Sequence, residues 1–239
     1  MRSYARRPGT SDRERCRTGR LARRPSYPRV VTAVEFFVDP SCPWAWLTAQ
    51  WIREVAPERD LEVTWRSYCI EIRDDYGVSP TMAPERREMA LVGHAISHRM
   101  LRLFEAARAR FGEAAVDTLY AQWGPLFFPR NSARDDLLLV ASVAAAGLDA
   151  DLVDAAGDDK WDAPIVESME VAYAFGGQKT QTPTIVVRTD PPHGFKGPVM
   201  APVPTGAAGL RLWDAIQVIS QEPGFFEITR PRANHPRID

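Results

Sequence analysis

An α/β domain interrupted by an all-helical block is the architecture that this 239-residue chain predicts. Strand, helix and strand patterns succeed one another between positions 31 and 69. Strand character then disappears until Thr184. A lone cysteine, Cys42, stands where the first strand gives way to the first helix, and it sets the chemistry to be expected.

The first element, Val31 to Val38, is β-branched and aromatic without alternation, which predicts a strand buried on both faces. Trp44, Leu47, Trp51, Ile52 and Val55 then recur at helical spacing, with Pro43 suited to the first helical position. Leu61 to Cys69 largely alternates, as a half-buried strand does. A strand–helix–strand unit of this length requires the second strand to run parallel to the first.

Five helical segments follow. Met89, Val92, Ile96, Met100, Leu103, Phe104, Ala107 and Phe111 mark one, and Val116, Leu119, Tyr120 and Trp123 another. Leu137–Ala146, Ala150–Ala156 (capped by Asp149) and Ala163–Phe175 complete the block. Thr184 to Arg188 reads as a strand, a short strand falls near Phe195, and residues 206–222 close with an amphipathic helix. Strand–helix–strand, helical block, strand, strand, helix is the order of a thioredoxin fold with helices inserted after its second strand. The divisions expected are a disordered basic extension, 1–30, a βαβ part, 31–80, an inserted helical subdomain, 81–176, and a ββα part with tail, 177–239.

The net charge of −1 hides an asymmetry. Residues 1–30 carry ten arginines against Asp12 and Glu14, a balance of +8 that leaves −9 for the rest. An acidic folded part excludes nucleic acid as a natural partner. Lysine occurs only at 160, 179 and 196, the arginine-rich usage of a GC-rich genome, and the arm reads as an upstream extension of the reading frame. With no signal peptide and no long apolar run, the expectation is a cytoplasmic protein that does not meet a membrane. Cys16, Cys42 and Cys69 do not make a disulfide framework. The oligomeric state is left open, a homodimer included.

A cysteine at a helix start meets unpaired backbone N–H groups and the positive end of the dipole, which favour its thiolate and lower its pKa. Cys42 is therefore the candidate nucleophile, with Pro43 and Trp44 beside it. Thr182-Pro183, directly before a strand, has the setting of a cis-proline turn. In thioredoxin folds that turn lies against the active-site cysteine, making Thr182 and Pro183 the candidate thiol-binding residues. Cys69 shares the phase of Leu61, Val63 and Trp65, as core does, although two parallel strands also bring it to the sheet end that carries Cys42. Tyr68, on the other phase, faces the insertion or a ligand. Trp46 reads equally as core or as pocket. His94 and His98 lack a third metal ligand and read as solvated helix positions, so no metal is expected. The acid pairs at 135–136 and 158–159 read as helix starts.

The segment Asp39-Pro40-Ser41-Cys42-Pro43-Trp44-Ala45-Trp46 resembles the active-site segment of the actinobacterial DsbA-family oxidoreductases, and among them the mycothiol-dependent nitroreductase family. The resemblance continues through Asp60-Leu61-Glu62-Val63, Thr182-Pro183-Thr184-Ile185, Gly197-Pro198-Val199, Leu212-Trp213-Asp214-Ala215 and Phe225-Phe226-Glu227, and so spans residues 32–239. It implies a thioredoxin fold with a helical insertion, a cytoplasmic location and electrons drawn from a small thiol. Mycothiol would be a co-substrate rather than a tightly bound cofactor. The family motif is Cys-Pro-Trp-Cys, whose second cysteine is Ala45 here, and Phe127-Phe128-Pro129-Arg130-Asn131 replaces a more polar segment. The expected activity is monothiol reduction of disulfide or electrophilic small molecules. Two alternatives stand beside it: a kappa-class-like thiol transferase or isomerase, which Ser41 keeps open, and a non-enzymatic thiol- or protein-binding member.

Overall fold

The computed structural model describes residues 31–231 apart from 74–77, 79–80 and 130, together with Pro236 and Ile238. The basic arm and Cys16 lie outside the described residues. β1 (Thr32–Val38) leads through α1 (Pro43–Val55) to β2 (Leu61–Ser67). α2 (Pro84–Phe111), α3 (Glu113–Phe127), α4 (Asp136–Ala145) and α5 (Asp162–Gly176) follow, then β3 (Thr184–Val187), β4 (His193–Lys196) and α6 (Gly206–Ser220).

The strands form one sheet in the order β2-β1-β3-β4. β1 and β2 run parallel from Thr32↔Leu61 to Val38↔Ser67. β3 is antiparallel to β1, with Phe37 opposite Thr184, and β4 is antiparallel to β3. This is the thioredoxin fold, with four helices inserted between β2 and β3. Because β2 ends and β3 begins at the same end of the sheet, the insertion leaves and returns beside the C-terminal end of β1.

α1 owes its start to Pro43, whose missing N–H costs nothing in the first turn, and to Cys42 as the capping residue. Its buried face, including Trp46, Ala49 and Ile52, packs into the core, and the Trp51 indole donates to Gly209 O of α6 at 3.1 Å. Trp213 of α6 lies against Trp51. α5 packs along β2, β3 and β4. Gly112, at φ +85°, makes the turn from α2 into α3, a conformation that favours glycine. Asp135 caps α4 by accepting from Leu137 N, and Asp158 accepts from Lys160 N at the next short helix start.

Several expectations needed correction. β1 is covered only from Val34 onward and fully from Phe36, because Val31 and Ala33 stand in solvent. β2 stops at Ser67, so Cys69 lies past the strand. The apolar face of α2 begins at Ile96: Met89 and Val92, in the first turns, are exposed, and so is Phe111 at the last position of the helix. Residues 150–157 form 3-10 turns, and Asp149 gives its carboxylate to Arg110 rather than to a helix cap. His98 is no solvated position. Its Nδ1 lies 2.8 Å from Glu71 and its Nε2 2.7 Å from Asp162, an acid that also receives a two-pronged bond from Arg102. Tyr68 is fully buried toward the insertion, edge-on to Tyr173, with its hydroxyl donating to Thr180 O at 2.7 Å.

Candidate active site

The C-terminal end of β1 delivers four residues, Asp39 to Cys42, as a tight turn closed by Cys42 N donating to Asp39 O at 2.9 Å. Cys42 then caps α1, its sulfur 3.5 Å from the Ala45 N–H. From the other side, Thr182-Pro183 is cis, and the Thr182 carbonyl accepts from the Cys42 thiol at 3.6 Å. The chain thus brings together two segments 140 residues apart, the strand-to-helix cysteine and the proline turn, as the sequence anticipates. The Pro183 carbonyl is taken by Gly197 N at 2.8 Å, so the turn is pinned to the edge strand. Thr182 Oγ1 is buried on the same side, a hydroxyl whose interaction with the Cys42 sulfur favours the thiolate.

Pro43 sits at the first helical position, and Trp44 is half-buried against the core rim. Trp46 is core: it lies edge-on to Tyr120 and so close to α3 that Gly124 has no room for a Cβ.

The acidity expected of Cys42 is not what the site provides. Burial pushes its thiol up from the ordinary value, outweighing the Thr182 side chain and the Ala45 and Trp44 N–H groups, which favour the thiolate. The charge of Asp39 adds to the rise. Cys42 is only 8% exposed, so the helix N-terminus acts on a sulfur from which water is nearly excluded. Cys69 is fully buried beside Met169 Sδ, and burial pushes its thiol far above the ordinary range.

Asp39 was legible only as one letter of the motif. In the fold it is fully buried and accepts four hydrogen bonds. Oδ1 takes Ser41 N (2.7 Å), Ser41 Oγ (2.6 Å) and Ser97 Oγ (2.6 Å), and Oδ2 takes Ile70 N (2.7 Å). The insertion also grips the turn through α3, where the Trp123 indole donates to Pro40 O at 2.8 Å. The Ser41 hydroxyl is thereby committed to Asp39. A hollow of about 330 Å³ lined by Arg53, Leu61, Val63, Trp65 and Asp117 opens at the far end of β2 and is no part of this site. Among the described residues there is no group of three or more His, Cys, Asp and Glu that could hold a metal.

The family model described as Rv2466c-like, mycothiol-dependent nitroreductase Rv2466c, matches residues 41–230. The chain belongs to this family. A relative in Mycobacterium tuberculosis (strain ATCC 25618 / H37Rv), the uncharacterized protein Rv2286c, is 27% identical over 205 residues, 85% of this chain and 84% of that one. Among solved structures, a proposed protein disulfide isomerase from Nitrosomonas europaea is similar with a TM-score of 0.51 and 14% identity, covering 79% of this chain and 98% of its own. A probable DsbA oxidoreductase, SCO1869 from Streptomyces coelicolor, is similar at 21% identity with a TM-score of 0.49, over 86% and 97%. The first of these likenesses supports the fold assigned from strand order. The family match begins at Ser41 and includes Cys42, α1, the whole insertion and the proline turn.

Proposed function

We propose that this protein is a thiol–disulfide oxidoreductase working by a one-cysteine mechanism, with Cys42 as nucleophile and a small thiol of the mycothiol class as co-substrate. The observation that carries the reading is the meeting of Cys42 Sγ with the carbonyl that precedes a cis-proline, while the helix position one turn on holds the methyl of Ala45. Family membership supports both the redox chemistry and the thiol. The Cys42 thiolate attacks a disulfide; one S–S bond forms, the old one breaks, and one half leaves as a thiolate. A second thiol then attacks the mixed disulfide and releases Cys42 as its thiolate, so electrons enter through the external thiol and no internal disulfide is made. Pro43 and Trp44 border the nucleophile, and Thr182 and Pro183 orient the partner sulfur. At an electrophilic carbon the same thiolate displaces a leaving group to form a C–S bond. A small thiol then attacks that sulfur, the carbon leaves with the bonding pair and takes up a proton, and a second thiol frees Cys42 from the resulting mixed disulfide. The compartment is the cytoplasm, where such thiols are abundant; among the described residues no helix is long and apolar enough to cross a membrane.

The decisive experiment is intact-mass analysis after exposure to mycothiol disulfide. A single adduct on Cys42 that persists until excess thiol is added is expected. Ala45→Cys should shorten its lifetime, because the introduced thiol lies about one helical turn away and closes a disulfide with Cys42. No adduct at Cys42 with any small disulfide overturns the reading. The burial of Cys42 favours one rival, a binding protein without turnover. Adduct formation without release by thiol would support that rival. The transferase alternative needs a free group beside the sulfur, and Ser41 is engaged elsewhere.

A further inference from the structure

The four donors around Asp39 are an arrangement that a carboxylate, able to accept at both oxygens, satisfies in full. Ser41 N, Ser41 Oγ, Ser97 Oγ and Ile70 N all point hydrogens at its two oxygens. An asparagine in the same place would set its NH₂ against Ile70 N–H on one side, or on the other against Ser41 N–H and two hydroxyls that would have to turn round and accept. None of the four donors carries a charge, so the carboxylate is buried without a cation among its hydrogen-bond partners. A buried charge of this kind is costly to hold, and the four hydrogen bonds are what offset the loss of water.

What the charge touches gives it a use. Asp39 opens the turn that Cys42 closes, and it is joined by Ser97 to the middle of inserted helix α2 and by Ile70 to the chain leaving β2. The titratable groups that feel it come from three directions: Cys42 at the head of α1, Cys69 beyond β2 and Tyr120 on α3. We propose that Asp39 is a positioning residue for Cys42, one whose buried carboxylate builds the turn that presents the sulfur, sets a fixed negative charge beside it and ties both to the insertion. The proposal rests on the one-cysteine reading for its consequence. A negative charge beside Cys42 holds the free sulfur as a thiol and makes it a poorer leaving group, so both formation and release of a mixed disulfide are slowed. The bond changes are those of ordinary exchange; Asp39 takes no proton and no electrons.

Alkylation of the full-length protein by iodoacetamide across pH tests this without any redox turnover. Its failure is therefore separable from a failure of the disulfide chemistry, which the mass experiment reads. Asp39→Asn should move the Cys42 alkylation midpoint down, because a like charge that disfavours the thiolate is removed. A merely structural role predicts no such shift, and a midpoint unchanged or raised in a folded Asp39→Asn protein overturns the proposal. Ser97→Ala keeps the charge and cuts the tie to α2, so amide exchange at Ser41 should quicken; exchange as slow as in the parent protein overturns the tie. Where Asp39→Asn does not fold, carbon-13 NMR of the aspartate-labelled parent protein decides. The Asp39 carboxyl resonance should move as Cys42 ionises and stay still in Cys42→Ser. A resonance indifferent to Cys42 overturns the proposal.

Discussion

Cys42, the proposed nucleophile, is held in reserve. Its sulfur has the N-terminal amides that favour a thiolate and a burial that disfavours one, and burial wins. Cys69 is held still more firmly as a thiol. Both thiols are raised in the folded state, so each contributes stability that is complete below the unfolded value of about 8.5 and is lost as pH climbs toward the folded value. Unfolding free energy should therefore decline above about pH 8.5, by up to roughly 1.4 kcal/mol per pH unit for each thiol. Urea unfolding at about pH 7.5, 8.5 and 9.5 spans the unfolded value and measures the decline, which Cys69→Ala should flatten. An equally steep decline in that variant would mean that Cys69 is not the group responsible. The sequence made Cys42 visible because strand-to-helix position and neighbouring Pro43 are local features. Its acidity was misread because desolvation comes from packing by distant elements, which no local pattern records. Asp39 escaped notice for a related reason: Ser97, 58 positions away, and Ile70, 31 away, are what turn a loop aspartate into a buried acceptor.

At the level of elements, α1 and α6 follow from helical spacing, β2 from alternation and β1 from its unbroken β-branched and aromatic run, each a signal carried by consecutive residues. α2 was read with an apolar stripe from Met89 onward, yet the face that packs begins at Ile96; amphipathic spacing does not say where the neighbouring surface ends. Asp149 is a similar case, an acid in a capping position whose carboxylate goes to Arg110. One contact that couples the insertion to α1 is made by α3. A Cβ on Gly124 would meet the Trp46 ring at 2.2 Å. Gly124→Ala should thus cost about 1–3 kcal/mol by overpacking, despite its better helix propensity. Chemical denaturation gives the value, and a neutral or stabilising result would show that Trp46 has room to rotate away.

The molecule as a whole is held across its insertion by charge as well as by apolar contact. Asp162 at the start of α5 receives Arg102 and His98 of α2, and His98 reaches Glu71 past β2. The bond from Arg102, opposed by partial burial and aided by His98, holds the Asp162 carboxyl below the usual carboxylate range. A depressed carboxylate contributes stability present above its unfolded value near about 3.9 and lost as pH falls through its folded value. Asp162→Asn should therefore lower the melting temperature most at about pH 7 and by less at about pH 3, where part of the contribution has already been lost. Parallel melting curves for the two proteins at both pH values would contradict this. The network was invisible in the sequence, since residues 71, 98, 102 and 162 share no local motif.

The insertion enters from the end of β2 and returns at the start of β3, two strands that flank β1 on either side. Two strand spacings are about 9.6 Å, a gap that roughly three extended residues span. The helical block is consequently a cassette: its length can change without altering any strand register, provided that Ser97 and Trp123 keep their holds on the turn that bears the cysteine. Evolution can exchange the roof of such a site while leaving its floor untouched, and relatives sharing this sheet are free to differ most in the chemistry of what they admit.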